Sequence, residues 1–467
     1  MNRRAPLLAA VLCTLSACGQ DAGPDARTEP CCGAPDGVED TGDPAGDTGT
    51  SGDTGDAATG HPSLVVQLDE DRLRADDNPL RGFYTSYAWG EPVTDQPASL
   101  EFAYVALSDL MDGPDSMRFD AALEPLLMAA ESRGHQLVFR PYIDYPGLPS
   151  GLPAHLEGQV DQRPYTEHGG GRSPDYADPE LQAAILTFID ALGARYDGDP
   201  RLGVVQLGLL GFWGEWHTWP HSEWFADPLF QDEVLGAYDA AFSTTLLQVR
   251  YGSEASVGRR VGYHDDSFAY STIGDIDWFF LPQLEAVGAE SRWQEVPVGG
   301  ELRPELQGLI FEPDYTTGTY QQDFDACVAA THASFLLDHG AFGVQPDSAT
   351  EADATRVAAR SLGYALHLAE ARLDTDTLVL VIENLGVAPF YLPLRVQVVA
   401  ASGAAVEAAL PMILPDAGRQ EVSLDVDTLP SPEPEAPWTV GLVSDHVLPS
   451  QTVRFVTAPG TEAIRVE

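Results

Sequence analysis

The sequence contains no lysine. All 25 of its basic residues are arginine, against 72 acidic ones, and the formal net charge is −47. A field of that sign repels phosphate backbones, which excludes nucleic acid as a partner. No run of 18 or more apolar residues occurs, so the pattern offers no transmembrane helix. Cysteine is scarce at five, and its spacing gives neither a disulfide framework nor a zinc motif. What is present suits a folded protein. Hydrophobic residues make up 44% of the chain and aromatics 9%, enough for a sizeable core, and 467 residues suggest two to four domains.

The chain opens MNRRAPLLAAVLCTLSAC: Arg3 and Arg4, an apolar stretch from Ala5 to Leu15, then small residues. That is the tripartite secretory pattern. Leu15-Ser16-Ala17-Cys18 resembles the lipobox of bacterial lipoproteins. The resemblance implies a signal segment at 1–18, lipidation of Cys18, and anchoring to a membrane of the bacterial cell envelope. Gly19 after the cysteine leans toward the outer membrane. Residues 19–62 are rich in Asp, Gly, Thr and Pro and almost free of large apolar side chains, so nothing offsets the entropy of ordering. They read as a flexible acidic tether with a reach on the order of 35 Å.

From Ser63 the pattern changes to short apolar runs alternating with amphipathic stretches. Eight runs read as strands: LRGFY, EFAYVAL, HQLVFRPY, LGVVQLGLL, LLQVRYG, RVGYHDD, VPVGG and HASFLLD. Helical patterns fall at 119–133, 179–196, 229–245, 281–293, 323–331 and 351–361. This is the order of an α/β protein, a (β/α)8 TIM-like barrel over 63–362. Its weak point is the fifth-to-sixth connection, Gly252 to Arg259, too short for a proper helix. After Gly363 alternating β-rich segments follow at turn-punctuated spacing, which predicts an all-β sandwich over 363–467.

Active sites of such barrels lie at the C-terminal ends of the strands. The first strand then contributes Arg81 and Tyr84, and the third Arg140, Tyr142 and Asp144. The fourth contributes Trp213, Glu215, Trp216 and His217 from GFWGEWHTWPH. The fifth adds Arg250, the sixth His264, Asp265 and Asp266, and the seventh Glu301. Glu215 and Glu301 stand out, because glycoside hydrolysis uses two carboxyls, one protonated as acid and one ionised. Tryptophans beside Glu215 disfavour its charged form. Aromatic faces with Arg and Asp also suit sugar hydroxyls. No cofactor is expected, since GGGR at 169–172 lacks the context and Lys of a phosphate loop. No metal is assigned either: Pro220 breaks the helix that His217 and His221 would need to bind zinc with Glu215.

The arrangement resembles barrel glycoside hydrolases with an acid/base Glu after strand four and a nucleophile Glu after strand seven. NPLRGFY (Asn78 to Tyr84), GFWGEWHTWP (Gly211 to Pro220), VGYHDD (Val261 to Asp266) and VGGE (Val298 to Glu301) also resemble a pair of secreted bacterial domains of unknown function. The resemblance implies a glycan partner, Glu215 as acid/base and Glu301 as nucleophile. This chain departs from the glycosidases at Gly214, where they usually place Asn. Two rivals stand beside the enzyme: a glycan-binding lipoprotein with a degenerate barrel, and a metal-dependent hydrolase using the His264-Asp265-Asp266 run.

Overall fold

The computed structural model describes residues 63–65, 76–93, 95–312, 315, 321–343, 349–433, 435–456 and 464–466. The expected signal segment, Cys18 and the tether lie outside the described residues. Eight strands form one sheet: β1 Gly82–Tyr84, β2 Leu100–Ala106, β3 Gln136–Tyr142, β4 Leu202–Gln206, β5 Leu246–Val249, β6 Val261–Phe268, β7 Val298–Leu302 and β8 Ala333–Leu337. Every neighbouring pair from β2 round to β1 is parallel. The ring closes through a parallel bridge between Thr85 and Glu101, where Phe102 N donates to Thr85 O at 2.9 Å. The expected (β/α)8 barrel is thus observed, with all eight predicted strands in their predicted order.

Local chemistry explains the helices between them. Pro179–Tyr196 begins where Asp178 accepts from the amides of Glu180 and Leu181, with proline at the first turn. It buries Leu181, Ile185, Phe188, Ile189 and Leu192, one face at helical spacing. Asp227 caps Pro228–Ala241 in the same way. That helix stops short of the expected 245 because the Asp197 carboxylate captures the amides of Ser243, Thr244 and Thr245. The fifth-to-sixth connection holds a single turn, Glu254–Val257, fixed by a reciprocal Ser253–Ser256 capping box.

The C-terminal region is all-β, as expected, and consists of two four-stranded antiparallel sheets. Ser63–Val65, expected within the barrel segment, instead pairs with Leu366–Asp374 at the edge of one of them. Leu378, Leu380 and Ile382 from one sheet and Val396, Val398, Val440 and Leu442 from the other share a core with the lower barrel residues Leu100, Phe102, Val138, Val204 and Phe335. Polar contacts fix the same junction: Gln451 Nε2 donates to the carbonyls of Ser99 and Gly134, and Gln136 Nε2 to that of His446. These residues lie at the starts of β2 and β3. The sandwich therefore covers the N-terminal face of the barrel.

Inside the barrel the inward-facing side chains change character with height. Among the lower ones Phe102, Val138, Val204 and Phe335 are apolar. Above them Arg140, Gln206 and Gln248 form a polar layer, with Arg140 Nε donating to Gln206 Oε1 at 2.7 Å and Gln206 Nε2 to Gln248 Oε1 at 3.4 Å. A polar layer is costly in a barrel interior unless its groups bond one another, as these do.

Candidate active site

The loop after β4 sets the position of Glu215. Leu209, Trp213 and Trp216 have positive φ, as do Gly211 and Gly214. Left-handed non-glycine residues cost about 1 kcal/mol or more each and persist only where the surroundings hold them. Here Phe212 N donates to His217 O, Trp213 N to Asp144 O and Glu215 N to Phe212 O, at 2.7, 2.8 and 2.8 Å. The loop is tied both to itself and to the end of β3. Gly214 has φ +69, and a Cβ there would lie 3.0 Å from Gly208 Cα. The positive φ and that crowding together favour glycine at this position.

Glu215, 9% exposed, is ion-paired with Arg140, whose Nη1 donates to Oε1 at 3.0 Å. The same guanidinium donates to Tyr104 Oη at 2.7 Å. Glu215 Oε2 lies 3.5 Å from His217 Nε2. Glu301, half-buried at the end of β7, is raised to about 8, first by burial and then by the charge of Glu215, with Arg140 opposing. Burial and the neighbouring charge of Glu215 thus favour the protonated form of Glu301, while Glu215 faces the Arg140 guanidinium.

The third acid is Asp266. Burial pushes its carboxyl up, but Arg250 Nη2, 2.6 Å from Oδ1, holds it well below the usual carboxylate range. His264, 1% exposed, is kept neutral by burial and by Arg140 and Arg250. Asp265, between them in the chain, turns the other way, as strand alternation requires. Its carboxylate accepts from Thr272 Oγ1 at 2.7 Å and Ser267 N at 2.9 Å, and it is raised to about 6 by burial. His264, Asp265 and Asp266 therefore do not converge. Asp266 instead meets Glu215 and His217: one donor atom from each lies within 4.8 Å of the others.

Other expected residues separate into those near this cluster and those elsewhere. Tyr84 lies inside the barrel, its hydroxyl donating to Gly300 O at 3.2 Å. Tyr142 stacks edge-on with Tyr104 and Tyr145. Trp213 is half-buried beside the rings of His168 and His217. Asp144 accepts from Tyr165 Oη at 2.5 Å and is raised to about 6 by burial, so it braces the 162–174 hairpin. Trp216 is 5% exposed and donates its indole N–H to Leu207 O, packing against Phe225 in the helix layer. Arg81 is far from its expected role. It precedes β1, and its guanidinium donates to the carbonyls of Tyr364 and Arg360, both at 2.6 Å, which clamps the barrel base. Residues that sequence reasoning missed are Tyr104, Gln206 and Gln248. Tyr104 was discoverable: it sits opposite Arg140 in the β2–β3 register.

No family model matches this chain, and no curated protein matches it. Among solved structures, it is similar to an endo-glycoceramidase II from Rhodococcus sp. (13% identity, 78% of this chain and 99% of that one, TM-score 0.38). It is also similar to a family 39 glycoside hydrolase from Bacteroides cellulosilyticus WH2 (12% identity, 76% and 81% coverage, TM-score 0.36). A further likeness is to a GH113 β-1,4-mannanase (11% identity, 60% and 97% coverage, TM-score 0.28). Likenesses at this level carry no argument for the reaction; strand order and ring closure define the barrel without them.

Proposed function

We propose that this chain is a glycoside-hydrolase-like enzyme that cleaves a glycan with the carboxyl pair Glu215 and Glu301, and that a lipid on Cys18 holds it to the bacterial envelope. One observation carries the catalytic reading. Two carboxyls, from the loop after β4 and the end of β7, are electrostatically linked: burial and the charge of Glu215 raise Glu301, while Glu215 is paired with Arg140. Environments that push two acids apart in this way assign acid and base roles. The roles are therefore exchanged relative to the expectation from sequence. Glu301 protonates the departing glycosidic oxygen, and Glu215 attacks the anomeric carbon or takes a proton from the attacking water. His217 and Tyr104, through Arg140, hold Glu215 in place. The envelope location rests on the N-terminal pattern alone.

The test is a screen of glycan hydrolysis by the protein beside its Glu215→Gln and Glu301→Gln variants. Either substitution should lower turnover by at least about 100-fold. Unchanged turnover in either variant rejects the pair. Because the acid must carry its proton, kcat/KM should also fall as pH rises through about 8.

A further inference from the structure

We propose that Glu215, His217 and Asp266 form a binding site for a divalent transition-metal cation at the barrel mouth. An oxygen from each carboxylate and a nitrogen from the imidazole lie within 4.8 Å of one another, and Glu215 Oε2 and His217 Nε2 are already 3.5 Å apart. Ligands at about 2.1 Å in a tetrahedral zinc site stand about 3.4 Å apart, so the set closes by side-chain rotations that shorten its widest separation by up to about 1.4 Å. Two carboxylates with one imidazole suit zinc or manganese; an all-oxygen site would suit calcium or magnesium.

The surroundings already supply the outer contacts that orient metal ligands. Arg140 holds Glu215 by Oε1, which leaves Oε2 toward His217, and Arg250 holds Asp266 by Oδ1. The donors come from separate segments, the loop after β4 and the strand β6, so their meeting is a product of the barrel's closure. On the far side of the imidazole, Trp219 N donates to Nδ1 over 3.4 Å, at the outer limit of a hydrogen bond. With a metal on Nε2 the imidazole proton sits on Nδ1, which no longer accepts from the Trp219 amide, so only that weak backbone contact is lost, at a residue that is 63% exposed. Three protein ligands leave open positions for water, as in a reactive rather than a closed site. Metal binding itself does not depend on the glycosidase reading. Its consequence does: Glu215 belongs to both, so a bound cation and glycan turnover exclude one another, which makes the metal an inhibitor.

Equilibrium dialysis of the full chain against Zn2+ tests this without any substrate. About one saturable equivalent is expected, with a change in tryptophan fluorescence. His217→Ala, His217→Gln and Asp266→Asn should each weaken binding at least about tenfold. His221→Ala should bind as the wild type does, since His221 is stacked on Trp224 and lies 3.4 Å from Glu167 instead. The glutamine variant guards against a loop disturbed by alanine. Absence of saturable binding, or equal affinity in these His217 and Asp266 variants, overturns the proposal. A protein that binds zinc yet hydrolyses no glycan loses the glycosidase reading and keeps the metal site.

Discussion

Arg140 Nη1 and Glu215 Oε1 lie 3.0 Å apart, a contact between the third strand and the loop after the fourth. The guanidinium is 2% exposed and the carboxylate side chain 12%. Neither charge has much water to fall back on, so each is the other's main compensation. The pair ties the polar layer inside the barrel to the acids at its mouth.

Replacing Arg140 by methionine leaves that carboxylate buried without a cation, and leaves Tyr104 and Gln206 without their donor. Breaking a buried pair by removing one partner costs about 3–5 kcal/mol. Denaturant unfolding should show a loss of this size. A loss under 1 kcal/mol would mean that water reaches Glu215 freely.

Glu301 makes stability depend on pH. Its carboxyl is raised in the folded protein to about 8, so between the unfolded value and about 8 the folded state binds more protons than the unfolded one. Stability contributed at this position therefore falls as pH rises through that window. Glu301→Gln should remove the slope, and its advantage over the wild type should be larger at pH 9 than at pH 5. Thermal melts across that range would measure it, and parallel curves would refute it.

Arg81→Ala should destabilise the barrel base and leave the mouth alone. Two hydrogen bonds from a buried charged donor are lost, roughly 3 kcal/mol or more together. Zinc binding, and any glycan turnover, should persist in the variant at temperatures where it remains folded. A binding defect without a stability defect would return Arg81 to the site.

Gly300 separates β7 from β6 so closely that a Cβ would fall 2.0 Å from Asp265 O. Gly300→Ala must push the strands apart, and with them Glu301 and Asp266. A loss of roughly 3 kcal/mol or more, or failure to accumulate soluble protein, is expected. Wild-type stability would show that the two strands are loosely packed.

Much of the fold was legible because each strand is a short apolar run bounded by polar or turn residues. Asp178-Pro179 and Asp227-Pro228 announce their helices by side-chain capping, which is chemistry within a few residues. The site was legible in part. Glu215, His217, Arg250, Asp266 and Glu301 follow from placing strand ends, but the facing of each side chain does not, since one residue's shift along a strand reverses it. Asp265 was misplaced on that account, and Arg81 because its strand begins only at Gly82, which leaves Arg81 at the base. Trp216 was misplaced because its left-handed backbone, at φ +59, turns it into the helix layer.

The alternation of strands and helices, the order of the eight barrel strands and the all-β character of the C-terminal region are written in the chain itself. These depend on patterns of neighbouring residues, which propensity, capping and burial read locally. It took the folded arrangement to bring Asp266 to Glu215 and His217, to set burial and charge around Glu301, and to close the lower face with the sandwich. Those outcomes depend on distances between segments far apart in the chain, and electrostatic energy follows distance and burial, which no local pattern contains.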